Sequence, residues 1–428
     1  MRYLALVVIA GLTAAAMLAP APPVAGPGEA PASLDANHSV CGVEEGGGRS
    51  TQLTAVSADE GPVQLTLFAS GNPAGSIGVS IGPEGANVIP IVDVAAVGTV
   101  GGLVELPLSD SLVGSVVRGS TSIAMESCSS VGATSSFLGG GTTADQRSFE
   151  VHLMNPYAGE AVVDLTVTSE VGVESNDRLR SLIVPAASSV IVDMTALLPG
   201  RERLSVRIDS SAGRVFAIGR QTGVADTAVW NAVIGATDWL IPVPSLTTPA
   251  QLRVGNPSPQ DVEFQVDVFG SAGLEEAVIS DVVEANGEAV LDLSTLLEAA
   301  SVQGLRVIST SPVVPTVWFE DQASLAVTSG ITEAASRWLL AGSALPELES
   351  QRVVLLNPGL EDASVTVHSL RAARAQRTVV VPAHTDIELA LEPADGFLLE
   401  ASVPIVGLLS LSGQGSSAVS IGAPFADG

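Results

Sequence analysis

The sequence predicts an all-β protein made of tandem immunoglobulin-like antiparallel β-sandwich domains. Short runs rich in Val, Leu and Ile alternate with Gly, Pro, Asp and Asn, and each run has the length of a strand. One Asn-Pro turn recurs at a fixed interval, and no stretch after the N-terminal leader has the pattern of a long helix. A β-propeller-like array is the alternative, but propeller blades use four strands and fewer residues than one repeat provides here.

The repeat is marked by Asn155-Pro156, Asn256-Pro257 and Asn357-Pro358, which lie about 100 residues apart. Proline holds the residue before it in an extended conformation, and the Asn side chain can hydrogen-bond to nearby backbone groups to close a turn. Apolar residues alternate on both sides of each pair, as in strands with one buried face. Each pair therefore predicts a structural turn that joins two strands in a hairpin-like arrangement.

Two repeats also contain an aspartate followed by a short apolar segment. These are Asp193 in SVIVDMTALLPG and Asp292 in EAVLDLSTLLEA. A carboxylate at this position can cap the first turn of a helix. We therefore expect a single helical turn after each of the two residues.

These features divide the chain into six segments. They are a signal peptide or N-terminal membrane anchor at 1–25, a Pro/Ala/Gly-rich linker at 26–40, a first, degenerate β-sandwich at 41–136, and further β-sandwiches at 137–238, 239–337 and 338–428. The sequence thus predicts a row of similar domains, each large enough to bury its own core.

The N-terminal residues indicate export. Residues 1–18 contain one Arg and then an uninterrupted apolar stretch, which is typical of an export signal that is either cleaved or kept as a single anchor. We expect the protein to be secreted or held at the extracytoplasmic face of the membrane, with only this segment in the bilayer. Cys41 and Cys128 are the only cysteines, and in that compartment we expect them to form a disulfide; two buried free thiols are the alternative.

The charge of the chain narrows the range of partners. The formal net charge is -28 and the pI is about 4.2, so the field of the protein repels nucleic acid and anionic lipid head groups. We expect no nucleic-acid partner. An envelope protein or a polysaccharide remains a candidate partner.

An aromatic residue precedes each Asn-Pro turn by about 18 residues. The residues are Phe137, Trp239 and Trp338. They have two interpretations: each ring packs one domain against the next, or each ring is exposed and stacks on a ligand. Trp230 is a further candidate for an exposed ring.

The stretch from Cys128 to Val173 resembles a known family. It contains the Cys, then FLGGGTTADQ after a short gap, then the apolar run into Asn155-Pro156 and the AVVDL that follows. This pattern is similar to that of secreted actinobacterial proteins classified as domain of unknown function 5719, and the likeness extends over most of the chain after the leader. Phe137 stands where a Trp is expected. The resemblance implies an extracytoplasmic setting, hints at envelope glycan biology, and brings no defined activity.

The sequence offers few candidates for chemistry. Gly78-Val79-Ser80-Ile81-Gly82 matches the G-x-S-x-G pattern of a hydrolase elbow, but that elbow needs a following helix, and Pro83 and Gly85 come next. None of the four histidines has a neighbour at the spacing of a metal site or a catalytic triad. We therefore predict no catalytic residue, no metal site and no cofactor.

Three functions follow from these observations, in decreasing order of support. The first is a non-enzymatic, exported cell-envelope protein that serves as a structural or interaction module. The second is a carbohydrate-binding accessory protein in envelope glycan assembly, and an exposed Trp ring flanked by polar side chains would favour it over the first. The third is a serine hydrolase that uses Ser80.

Overall fold

The computed structural model describes residues 38–425 apart from 47, 59, 70–71, 83, 90, 92–98, 107–110, 131, 246–247, 296–302, 322–323, 371–373 and 414. The predicted leader at 1–25 lies outside the described residues, as does most of the predicted linker. The last three residues of the predicted linker, 38–40, are not part of a linker, because they already belong to the first strand, His38–Gly42. Within the described ranges, no helix has both the length and the apolar character needed to cross a membrane.

The described residues form four β units with the same order of strands. Unit 1 contains β1 (His38–Gly42), β2 (Glu45–Gly46), β3 (Arg49–Ser57), β4 (Gly61–Ala69), β5 (Asn72–Ile81), β6 (Gly85–Ile89), β7 (Thr99–Glu105), β8 (Ser111–Arg118) and β9 (Ile123–Ser127). Unit 2 contains β10 (Ser135–Leu138), β11 (Ser148–Asn155), β12 (Ala161–Ser169), β13 (Gly172–Val173), β14 (Leu182–Val184), β15 (Ser188–Asp193), β16 (Leu204–Ala212), β17 (Phe216–Thr222) and β18 (Thr227–Asn231).

Units 3 and 4 repeat this order with fewer, longer strands. Unit 3 contains β19 (Ala236–Val243), β20 (Ala250–Gly255), β21 (Val262–Gly270), β22 (Gly273–Val283), β23 (Glu288–Asp292), β24 (Gln303–Glu320) and β25 (Leu325–Ser329). Unit 4 contains β26 (Ala335–Ala341), β27 (Ser350–Asn357), β28 (Ala363–Ser369), β29 (Arg374–Val381), β30 (Thr385–Leu391), β31 (Gly396–Gly413), β32 (Ser416–Ile421) and β33 (Ala423–Pro424). The first strands of units 2 to 4 begin two or three residues before the predicted boundaries at 137, 239 and 338.

Each unit is a sandwich of two antiparallel sheets, which we call sheet A and sheet B. In unit 2, sheet A has the order β10-β16-β12-β13, and sheet B has the order β15-β11-β17-β18. Units 1 and 4 have the equivalent orders β1-β7-β4-β5 with β6-β3-β8-β9, and β26-β31-β28-β29 with β30-β27-β31-β32. The prediction of tandem antiparallel β-sandwich units is therefore confirmed.

One long strand belongs to both sheets in units 3 and 4. The first half of β24 pairs with β19 and β21 in sheet A, and its second half pairs with β20 and β25 in sheet B. The strand β31 does the same in unit 4. In unit 2 the equivalent chain is interrupted at Gly213, which has a φ of 68° and separates β16 from β17.

The Asn-Pro turns connect the two sheets of a sandwich, so the predicted hairpin-like pairing is wrong. The strand before each Asn lies in sheet B and the strand after it lies in sheet A. The physical reason is visible at Asn256, which is fully buried and donates from Nδ2 to the carbonyls of Val283 and Glu284 at the end of β22. The amide thus holds the turn to a strand of the opposite sheet.

The three Asn side chains have equivalent surroundings. In each turn, Oδ1 accepts from the backbone N–H two residues later, and Nδ2 donates to the carbonyl four residues later, at 2.8, 2.7 and 2.8 Å for Asn155, Asn256 and Asn357. All three are fully buried. They are structural residues whose hydrogen-bonding groups are used within their own unit.

The expected helical turns also form. Asp193 caps the α-helical turn Met194–Leu197 by accepting from the backbone N–H of Ala196 at 3.0 Å. Asp292 accepts from the N–H of Ser294 at 2.9 Å, at the start of the 3-10 turn Leu293–Thr295. A further 3-10 turn covers Asp177–Leu179 in unit 2.

The four units close into a ring rather than extending in a row. The last strand of sheet B in each unit lies at a common axis: β9 contacts β18 and β32, and β25 contacts the same two strands. Unit 1 therefore touches unit 4 as well as unit 2. We call the line along which β9, β18, β25 and β32 meet the axis of the ring.

A repeated contact joins neighbouring units. In units 1, 2 and 4, a side chain near the end of strand β3, β11 or β27 lies against a glycine of the preceding unit in the ring. The contacts are Met154 against Gly101, Leu356 against Gly304, and Val56 against Gly396. The third of these pairs unit 1 with unit 4 and closes the ring. Any side chain larger than hydrogen at these glycines would overlap its neighbour.

Candidate functional site

One end of the axis is closed by four equivalent hairpin turns. The turns end at Ser122, Asp226, Ser324 and Ser416, one from each unit. In units 1 to 3 the backbone N–H at the start of the turn donates to the carbonyl of this last residue, at 2.9, 2.8 and 3.0 Å. Unit 2 thus places a carboxylate where the other three units have a hydroxyl.

The Asp226 carboxylate connects the units across this end of the axis. Its Oδ2 accepts from the backbone N–H of Leu325 in unit 3 at 2.9 Å, and its Oδ1 accepts from the hydroxyl of Ser416 in unit 4 at 2.8 Å. The Ser416 hydroxyl also accepts from the backbone N–H of Ile123 in unit 1 at 2.9 Å. Asp226 is 3% exposed, and this burial raises its pKa to about 6 despite the hydrogen bonds it accepts.

The other end of the axis opens into a cavity of about 290 Å³, which we call the axial pocket. All four units contribute to it. Towards the closed end it is lined by Met125, Val229, Val327 and Val419, which occupy equivalent positions in the four axial strands. Two residues further along each strand, the lining residues are Ser127, Asn231, Ser329 and Ile421.

Hydrogen bonds between units fix the open end of the pocket. The Ser127 and Ser420 hydroxyls lie 2.8 Å apart and join unit 1 to unit 4. The Asn231 amide of unit 2 donates to the Ser127 carbonyl at 2.6 Å. Among the lining residues that the structure describes, Glu126 is the only one with an ionisable side chain. Burial raises the pKa of Glu126 to about 8, so this carboxyl is neutral at pH 7.

A network of charged side chains fills the joint between units 1 and 2. Arg220 of unit 2 binds Glu44 of unit 1 at 2.5 Å and Glu150 of its own unit at 2.6 Å. His152 lies 3.0 Å from Glu150. His152 faces away from the core of its own unit, but it is only 3% exposed because unit 1 covers that face.

This network has no room for a substrate. The cavity beside it, lined by Glu126, His152 and Arg220, has a volume of about 10 Å³. That volume is the least that one water molecule requires. The pKa of Glu150 is lowered by its bonds to His152 and Arg220, which outweigh its desolvation, as expected for a paired carboxylate. The cluster therefore serves to hold units 1 and 2 together.

Two of the four predicted aromatic site residues lie at a joint between units. Phe137 of unit 2 packs against Gly255 of unit 3. Trp230 of unit 2 stacks on Phe149 at 5.7 Å and meets the edge of Trp318 of unit 3 at 5.2 Å. Arg253 of unit 3 lies over the Trp318 ring at 4.3 Å. For Phe137 and Trp230 the structure thus favours a ring packed between two units over a ring that is exposed to a ligand.

Trp239 and Trp338 occupy neither of the two predicted positions. Each indole N–H donates to two carbonyls of its own unit: Trp239 to Ala236 and Val313, and Trp338 to Ala335 and Ile405. The two rings are 3% and 0% exposed. They are core residues, because the first strand of each unit directs the Trp side chain into the space between the two sheets of that unit. No Trp presents a bare ring to a sugar.

The structure joins Cys41 to Cys128 by a disulfide. It ties β1 to the segment after β9, and Val40 and Ser129 pair beside it. Ser80 lies in strand β5, where it pairs with Pro62 of β4, and the next described element is strand β6. The G-x-S-x-G residues therefore do not form a strand-to-helix elbow. The described residues contain no group of three or more His, Cys, Asp or Glu side chains placed to hold a metal ion.

Sequence reasoning missed Asp226 and the pair Arg253 and Glu288. Aligning the units by their last hairpin would have shown Asp226 as the exception among three serines. Arg253 and Glu288 follow the strand alternation of exposed positions, so nothing local marks them as buried. Desolvation lowers the pKa of Arg253 and raises that of Glu288, and Glu288 also accepts a 2.9 Å hydrogen bond from the backbone N–H of Gly140 in unit 2.

The fold and the axial pocket define an all-β protein of four immunoglobulin-like sandwich units closed around an axis. Residues 114–392 match the family model described as Family of unknown function (DUF5719). Since this match covers more than half of the chain, the protein belongs to that family. No curated protein matches the chain.

Several solved structures show a distant similarity to the chain. The pilus backbone protein RrgB of Streptococcus pneumoniae is 11% identical, covers 48% of this chain and 80% of its own, and has a TM-score of 0.12. A tetra-tandem repeat from the extending region of a large adhesion protein is 14% identical over 91% and 99% of the two chains, with a TM-score of 0.10. An alpha-L-rhamnosidase of Streptomyces avermitilis is 8% identical over 87% and 55%, with a TM-score of 0.14. TM-scores this low carry no argument about function.

Proposed function

We propose that this protein is a non-enzymatic, exported envelope protein whose ring of four units serves as a rigid interaction module. The observation that carries the proposal is the closure of the ring, in which buried polar groups are used to hold units together. Asp226 bonds directly to units 3 and 4, and the three turn amides are saturated within their own units. The charged network beside Arg220 is closed to a substrate.

Export is supported by two features. The apolar leader at residues 1–18 is typical of an export signal, and the Cys41–Cys128 disulfide requires an oxidising compartment. The acidic charge of -28 favours solubility outside the cell and disfavours contact with nucleic acid.

Export can be tested with the full-length protein fused to a C-terminal alkaline phosphatase, which folds only outside the cytoplasm. We expect phosphatase activity with the complete chain and none when residues 1–25 are deleted. Alkylation of Cys41 and Cys128 in intact cells provides a second measurement, and both thiols should be protected until a reductant is added. An inactive fusion with freely alkylated thiols would overturn the proposal.

The interaction role is tested by cosedimentation of the purified full-length protein with envelope fragments. We expect binding that is lost in a variant with an opened ring, Gly396→Val, and retained in Gly159→Val, a change at an exposed turn glycine with open space around it. A fluorophosphonate probe should label the protein and its Ser80→Ala variant equally. Selective labelling of Ser80 would identify a hydrolase instead.

A further inference from the structure

We propose that the axial pocket binds one uncharged, polyhydroxylated ring, such as a neutral sugar residue of an envelope glycan. This inference rests on the proposed function, because it assigns a ligand class to the module. The argument uses the size of the pocket, the absence of ionised groups along it, and the positions of its polar and apolar side chains.

The first step is that the pocket has been left open. Equivalent positions one layer deeper carry Met125 and three valines, which fill the axis. The segments that leave the axial strands carry small residues at the mouth, including Ser129, Ala232, Gly330 and Ala423. Narrow closed β rings normally fill their interior with side chains. Here four units converge on a cavity of about 290 Å³, close to the lower limit for ligand pockets.

The second step concerns charge. A protein of net charge -28 repels an anion, and no Arg or Lys lines the described part of the pocket to offset that field. A cation would lose its hydration without gaining a carboxylate, since Glu126 is buried and its Oε1 accepts from the backbone N–H of Gly42. An uncharged ligand therefore has the smallest electrostatic and desolvation cost on entering the pocket.

The third step concerns hydrogen bonding. The open end carries the hydroxyls of Ser127, Ser329 and Ser420 and the amide of Asn231. A hydroxyl donates and accepts, and an amide presents both kinds of group, so this set matches ligand hydroxyls in either orientation. The aliphatic layer at Val229 and Val327 lies below it and suits the C–H face of a sugar ring. An aliphatic ligand would leave the buried Ser329 hydroxyl, which has no hydrogen-bond partner among the described residues, without one.

The test is calorimetric titration of the full-length protein with methyl glycosides of neutral hexoses and pentoses. Glucuronic acid and glucosamine serve as charged counterparts, and N-acetyl-leucine amide as an aliphatic probe. We expect binding of at least one neutral glycoside and at least tenfold weaker binding of the charged sugars and the amide. If the amide or a charged sugar binds as well as the neutral glycosides, the ligand class is wrong.

A matched pair of variants locates the site. Ser130 and Ser120 are both exposed and lie beyond opposite ends of β9, with Ser130 at the pocket mouth. Ser130→Trp should weaken glycoside binding at least tenfold, while Ser120→Trp should leave it unchanged. Equal effects in the two variants would exclude the axial pocket. If no neutral glycoside binds while cosedimentation with envelope fragments persists, this inference fails and the proposed function stands.

Discussion

The carboxylate of Asp226 in unit 2 accepts a 2.8 Å hydrogen bond from the hydroxyl of Ser416 in unit 4, across 190 residues of sequence. The two units are not neighbours along the chain or around the ring. The bond therefore spans the axis, and the contacts of the same two residues with Leu325 and Ile123 bring in units 3 and 1. One side chain thus couples the positions of all four units.

Replacing Asp226 with Ala should destabilise the ring by about 2–4 kcal/mol. The substitution leaves the buried Leu325 N–H without an acceptor, which costs roughly 1–3 kcal/mol, and removes the Ser416 hydrogen bond, which contributes about 1 kcal/mol. The matched control is Ser324→Ala, because Ser324 is the equivalent residue of unit 3 and its buried hydroxyl has no partner among the described residues. Urea unfolding should show a change below about 0.5 kcal/mol for that control. Equal losses in the two variants would contradict the role of Asp226.

Stability should rise as the pH falls from 8 to 5. Burial raises the pKa values of Glu126, Asp386 and Asp226 to about 8, 7 and 6, above those of unfolded carboxyls. At a pH between the pKa of these carboxyls in the unfolded chain and their pKa in the folded protein, the folded state binds more protons than the unfolded state. The free energy of unfolding therefore decreases with increasing pH. Thermal unfolding at several pH values measures this slope.

The variant Glu126→Gln should flatten the part of this profile above about pH 6, because glutamine does not titrate. Glu160→Gln, a change at an exposed carboxylate, should leave the profile unchanged. An unaltered slope in Glu126→Gln would show that this carboxyl is not the group responsible.

Replacing Asn256 with Asp should cost at least about 3 kcal/mol. The amide Nδ2 donates to three carbonyls, and a carboxylate of the same shape would place an acceptor against them in a fully buried site. Asn155→Asp and Asn357→Asp should behave alike because their surroundings are equivalent. Gln260→Glu adds a charge at an exposed position of the same turn and should change stability by less than about 0.5 kcal/mol. Calorimetric unfolding compares the four variants.

The contact between units 1 and 4 that closes the ring can be examined with a double-mutant cycle at Gly396 and Val56. A methyl group on Gly396 would overlap Val56, so Gly396→Ala should destabilise by roughly 1–3 kcal/mol through overpacking. Val56→Ala removes the overlapping methyl and should offset part of that loss in the double variant. We expect a coupling energy of about 0.5–3 kcal/mol from denaturant unfolding. Additive losses would mean that the two residues do not touch in solution.

The pattern of strands and turns was predictable from the sequence because it depends on local chemistry. Asn256 before Pro257 closes a turn wherever its neighbours lie, and Asp193 caps the chain that follows it. Ring closure was not predictable, since it depends on surfaces that meet after each unit has folded. Val56 and Gly396 lie at opposite ends of the chain, and neither residue type signals such a contact.

The same limit explains the aromatic residues. Trp239 and Trp338 recur at the start of a unit, which is equally compatible with a core position, a joint and an exposed ring. Hydrogen bonds from the indole N–H to Val313 and Ile405 decide between them, and both carbonyls belong to the long strands of the same units. The axial pocket has no local signature, because each unit supplies only one strand of its wall.

The 18-residue strand β24 also sets how unit 3 can open. Because β24 is hydrogen-bonded within both sheets, separating the sheets requires breaking this strand in its middle. Amide hydrogens of the two sheets in unit 3 should therefore exchange with solvent in one cooperative event. In unit 2 the chain is divided at Gly213, so its two sheets can exchange at separate rates, and isotope labelling followed by mass spectrometry distinguishes the two behaviours.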